Sequence, residues 1–148
     1  MDNKKKKDLE KIIMDAVNQY GIKIDNTYIG GFSSGGNVTL LLTDYLKLTE
    51  SSVQPKGLFI ADSPVDLLGL YKSSQKAIEK NISNLNGLKI RIYSEPDTLW
   101  WKQNRQAEYE DINAYYLEQL ANDLSNLYGA EQVTYIKTKN RGYRANGN

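Results

Sequence analysis

The chain has 148 residues, with 19 Lys and Arg against 18 Asp and Glu, a net charge of +1, no cysteine and no histidine. That length suits one domain, and a chain of this size buries roughly 68–70% of the surface its unfolded form exposes, so a core forms without staples. Disulfides, thiolate metal sites, histidine ligands and a histidine base are all excluded from these residues, and the balanced charge gives no ground for bulk nucleic-acid binding.

In chain order, Leu9, Ile12, Ile13, Ala16, Val17 and Tyr20 recur at steps of three and four. They predict a helix over Asp8–Tyr20, with Asp8 as N-cap and Gly21 as stop. The Lys4–Lys7 run before it is shorter than an interaction tail and reads as a solvated terminus. Thr27–Phe32 (TYIGGF) is a short apolar strand. Gly35–Leu48, leucine-rich nearly all round, is expected to be the most buried helix. Ser51–Pro55 is a loop, Gly57–Ala61 (GLFIA) a second buried strand, and Asp62–Pro64 a turn. Leu67–Asn84 reads as an irregular helix in two pieces. Leu88–Tyr93 (LKIRIY) alternates, as a strand with one less buried face does. Ser94–Trp101 is a loop carrying Pro96, and Arg105–Tyr128 is the longest helix, ended by Gly129. Val133–Thr138 (VTYIKT) is the fourth strand, and Lys139–Asn148 is polar and unpatterned.

Strands separated by helices must cross over. The expected fold is therefore α/β: a parallel sheet of four strands in sequential order, with right-handed crossovers and helices on both faces. No repeat or linker marks a domain boundary. No stretch approaches the ~18 uninterrupted apolar residues of a membrane span, and no apolar region follows the basic start as in a signal peptide. A soluble protein with no membrane partner is expected, cytoplasmic on this chain alone.

Ligands of open α/β sheets bind at the carboxyl ends of the strands. The loops to read are Gly31–Gly36 (GFSSGG), Asp62–Asp66 (DSPVD), Ser94–Asp97 (SEPD) and the tail after Thr138. The first contains G-x-S-x-G centred on Ser33, with a strand before and a helix after. So sharp a reversal leaves no room for side chains two positions either side of the serine. It strains the serine backbone, exposes the hydroxyl, and aims the N–H of Ser34 and the helix N-terminus at the same point, where an oxyanion is stabilised.

GFSSGG between an apolar strand and a leucine-rich helix resembles the nucleophile elbow of the α/β-hydrolases. Element order over residues 8 to 138 is similar to the C-terminal half of that fold. The resemblance implies a serine hydrolase acting on a carboxylic ester or related acyl bond of a small molecule, with Ser33 as nucleophile and no metal or organic cofactor. It implies an acid in the SEPD loop. Asp97 is the choice, just after Pro96; Glu95 is its neighbour and competitor. Asp66 is the distant competitor, otherwise an N-cap for Leu67 onward, and Asp62 reads as a turn or cap residue. Trp100 and Trp101 line a substrate pocket or else pack on the long helix.

Such a mechanism needs a base, which the family supplies as a histidine after the last strand. The chain is therefore expected to be part of a longer hydrolase and nearly inactive alone, with the base beyond Asn148. Lys102, the one lysine near these loops, lies where little burial would turn it into a base. The edge before Thr27 is expected to receive missing N-terminal strands or to self-associate. Two other readings stay open: a non-catalytic α/β binding module, and a flavodoxin-like binder holding an anion or phosphate in the Ser33–Gly36 loop.

Overall fold

The computed structural model of the chain describes residues 1–68, 82–105 and 111–139. Four strands, β1 (Tyr28–Phe32), β2 (Gly57–Ala61), β3 (Lys89–Ser94) and β4 (Val133–Lys137), form one sheet in the order β1-β2-β3-β4. Every neighbouring pair is parallel. The described α-helices are α1 (Asn3–Tyr20), α2 (Ser34–Leu48), α3 (Thr98–Arg105) and α4 (Ile112–Tyr128). The fold is α/β, as the alternation of elements predicts.

Register decides which residues make the core. In-register parallel partners share a face, so Leu58, Ile60, Ile90 and Ile92 all point one way. They are buried with Leu40 of α2 and with Leu117, Leu120, Ala121 and Leu124 of α4. A second cluster lies on the far side of α2: Leu42, Tyr45, Leu46 and Val53 meet Leu9, Ile13 and Met14 of α1. Lying between the two clusters, α2 is the most buried described helix, even enclosing Thr39, Thr43 and Asp44.

Among the described helices, α2 and α4 both pack on the Leu58–Ile60 face. The physical reason is topological. With sequential strand order, successive right-handed crossovers pass over the same side of a sheet, and α2 and α4 lie in two such connections. Among the described residues, the opposite face stays open. There the Arg91 guanidinium lies 5.2 Å from the Tyr28 ring centroid, and Phe59 meets Tyr93 edge-to-face at 6.4 Å.

Two helix boundaries also differ from expectation. α1 begins at Asn3 because the Asp2 carboxylate, not that of Asp8, caps it, accepting the Lys5 N–H at 2.9 Å. The lysine run is thus part of the first turns, and lysine is a good helix former. Gly21 ends the helix in the left-handed region as anticipated, at φ 65°. The segment expected as one helix from Arg105 begins instead at Ile112, capped by Asp111, and α3 occupies much of the expected loop around Trp101. Most of the helix expected over Leu67–Asn84 lies outside the described residues; what is described at its start is a single 3-10 turn, Val65–Leu68. Among the described residues no helix is long and apolar enough to cross a membrane.

Candidate active site

β1 runs into α2 with one residue between them, Ser33, held at φ 55°, ψ −127°. A non-glycine residue in this region costs about 1–3 kcal/mol and persists only where its surroundings enforce it. Here the Ser33 N–H donates to the Ala61 carbonyl at 2.8 Å, and the Ser33 carbonyl accepts the Gly36 N–H at 3.0 Å. Both backbone bonds fix the turn. Serine at a helix N-cap ordinarily bonds the helix with its hydroxyl, but Ser33 makes no such bond. The N–H of Ser34 opens the first turn of α2, where helix N–H groups lack intrahelical partners.

The flanking glycines are not equivalent. A Cβ on Gly31 would lie 2.1 Å from the Gly35 carbonyl oxygen and 2.6 Å from the Gly36 nitrogen. A Cβ on Gly35 would meet nothing within 4 Å, which corrects the symmetric steric expectation for the motif. The third demanding position is Gly36, where a Cβ would fall 1.8 Å from the Ser63 hydroxyl oxygen. The reversal presses the end of β1 and the start of β2's loop onto the backbone of the first helical turn. Gly35 itself faces away.

Ser33 opens on a cleft of about 580 Å³ at the carboxyl end of the sheet. Asp62, Asp66 and Asp111 line it with both tryptophans. Trp100 and Trp101 meet edge-to-face, centroids 5.3 Å apart and planes at 83°. Both tryptophans stand on the cleft wall.

Asp62 is a turn residue, as expected, at φ 46°. Its N–H donates to the Tyr93 carbonyl at 3.0 Å and its carboxylate accepts the Glu95 N–H at 2.7 Å, tying the loop after β2 to the loop after β3. Helices hold the same loop from both sides: Asn37 donates to the Pro64 carbonyl at 3.0 Å and Asn113 to that of Asp62 at 3.4 Å. Asp66 sits within the Val65–Leu68 3-10 turn and faces the cleft; the segment it was expected to cap falls mostly outside the described residues. Burial pushes its pKa above the usual carboxylate range, partly offset by its own backbone N–H.

Asp97 lies behind the cleft wall, at 0% exposure. It precedes α3 and its carboxylate accepts the Trp100 N–H at 3.4 Å. Glu95 is half-buried beside it, and Lys102 is exposed on α3. Ser33, Asp66, Trp100 and Trp101 are brought onto one cleft; Asp97 is placed next to that cleft but not among its lining residues.

Asp111 is the site residue that sequence reasoning missed. One carboxylate oxygen accepts the Ala114 N–H at 3.0 Å, capping α4, and the other accepts the Asp97 N–H at 2.8 Å. Its signal was legible: an aspartate directly before the apolar period that starts at Ile112. Reading Arg105–Tyr128 as one helix hid it. Among the described residues, no cluster of three or more carboxylates is arranged to hold a metal ion. Comparison of the chain with protein-family models, curated proteins and solved structures finds no match to any of them.

Proposed function

We propose that the chain carries the nucleophile of an α/β-hydrolase-type serine hydrolase acting on a carboxylic ester or related acyl bond. The observation that carries this reading is the backbone of Ser33: a strained serine, at a strand-to-helix reversal, with no capping bond from its hydroxyl, opening on a cleft. Nothing in the packing of a plain tight turn calls for a serine there, since glycine tolerates positive φ at lower cost.

In the proposed reaction the Ser33 Oγ attacks the acyl carbon while a base takes the hydroxyl proton. The oxyanion formed is met by the Ser34 N–H and the N-terminus of α2. Collapse expels the alcohol, which leaves with the proton, and water then hydrolyses the Ser33 ester. The 148 residues contain no histidine, so the base is proposed to come from outside them. Asp97 is proposed to orient that base from behind the cleft, which leaves the Asp66 carboxylate for the substrate. The phosphate-binder reading finds less support. Carboxylates, with no lysine or arginine, line the described cleft and work against a bound anion.

Imidazole in solution replaces an absent histidine base, and a nitrophenyl ester reports the reaction. Residues 1–148 alone are expected to turn over the ester no faster than a Ser33→Ala control. Added imidazole is expected to raise the rate above imidazole's own background only when Ser33 is present. An imidazole-dependent gain equal in both proteins would remove Ser33 as nucleophile. Turnover without imidazole that S33A abolishes would place the base inside these residues.

A further inference from the structure

We infer that the cleft binds the ammonium group of a cationic ligand, so that the acyl substrate is one bearing an alkylammonium group, seated between Asp66 and the Trp100–Trp101 pair. The acyl part rests on the serine-hydrolase reading; the cation site stands on the lining of the cleft.

Its charge is one-sided. Three carboxylates, Asp62, Asp66 and Asp111, face it, and no lysine or arginine does among the described residues. They are not equally committed. Asp62 accepts the Glu95 N–H, and Asp111 uses both oxygens on the N–H groups of Ala114 and Asp97. Asp66 differs: its Oδ1 is buried without a hydrogen-bond partner among the described residues. A desolvated acceptor left unmatched is costly, and the cost is larger for a charged group. Positive charge placed in the cleft beside the Asp66 carboxylate recovers part of that cost. Burial has already shifted Asp66 toward its neutral form, the response of a carboxylate short of a counter-charge.

The tryptophans set the kind of cation. Two indoles at 83° to each other make a corner, and indole is the ring that best attracts an alkylammonium. Leu67 and Ile112 complete an apolar wall that suits N-alkyl groups and offers nothing to a hydrated metal ion. A neutral acyl substrate would leave Asp66 uncompensated, and an anionic one would be repelled.

Trp100 and Trp101 are the only tryptophans of the chain, so emission excited at the red edge of tryptophan absorption, where the 11 tyrosines do not absorb, reports this cleft. The probe is choline, titrated beside 3,3-dimethylbutanol, which has the same shape with carbon in place of the charged nitrogen. Choline is expected to change the tryptophan emission with a Kd about tenfold or more below that of the alcohol, the combined effect of cation–π attraction and one carboxylate. Asp66→Asn is expected to shrink the difference to the part that cation–π attraction alone supplies. Equal affinities, tighter binding of the alcohol, or no choline response at concentrations where the alcohol responds would overturn the inference. A preference that survives D66N undiminished in a protein with an unchanged melting curve would remove Asp66 from it. Comparing the two probes on the unaltered chain needs no variant to fold. No ester or base is involved, so failure here is distinguishable from failure of the hydrolase reading.

Discussion

Gly31→Ala is expected to destabilise the protein by on the order of 3 kcal/mol, the upper range for forcing atoms into a packed site. The new Cβ would overlap backbone atoms of Gly35 and Gly36, not the movable tip of a side chain. Relief would require β1 and α2 to separate, and they are joined through Ser33, whose N–H is bonded to Ala61. Gly35→Ala is the contrast. Its Cβ meets nothing within 4 Å, and the position lies in the first turn of α2. Alanine there should be neutral or stabilising by up to about 1 kcal/mol, from helix propensity and lower unfolded-state entropy. Urea midpoints for the two variants check the pair. Equal losses would mean that the turn does not have the asymmetric packing described.

Asp111→Ala is expected to cost about 3 kcal/mol. Two N–H groups, those of Asp97 and Ala114, lose their acceptor at once in a buried setting, and each stranded donor costs about 1–3 kcal/mol. Asp111→Asn should fall between, since an amide keeps one acceptor oxygen and turns the other into a donor. The loss has a local sign as well. Asp97 positions the start of α3, and Trp100 and Trp101 stand on α3, so their emission should shift to the red in D111A before global unfolding begins. A D111A protein with unchanged midpoint and emission would contradict the role assigned to this carboxylate.

What could be read from the residues follows from physics that is local. The strands announce themselves because GLFIA and LKIRIY carry their burial pattern in alternation or in unbroken apolar runs. The strand-to-helix reversal at Ser33 is legible because a strand, a glycine-flanked serine and a leucine-rich helix lie within one short stretch of chain. Which face receives the helices was not legible in the same way. It depends on strand order and crossover hand together, which no single stretch of sequence carries. Asp111 was hidden by a merged helix, although its cap signal is local. Asp66 was ambiguous for another reason. A cap and a cleft carboxylate look alike in sequence, and only the folded chain shows that Asp66 lines the cleft. Gly35 shows the limit of motif reasoning: two glycines in symmetric positions face opposite environments.

On the serine-hydrolase reading proposed above, Ser33 is the hydroxyl among the described residues that reacts with an acyl-type electrophile. Ser34 is its natural control: adjacent, on the same turn, and more exposed. The direct measurement is peptide-level mass spectrometry after treatment of residues 1–148 with a fluorophosphonate in the presence of imidazole. The adduct is expected on Ser33, dependent on imidazole, with Ser34 unmodified. A folded protein whose adduct falls equally on Ser33 and Ser34, or on other residues while Ser33 stays free, would contradict the account.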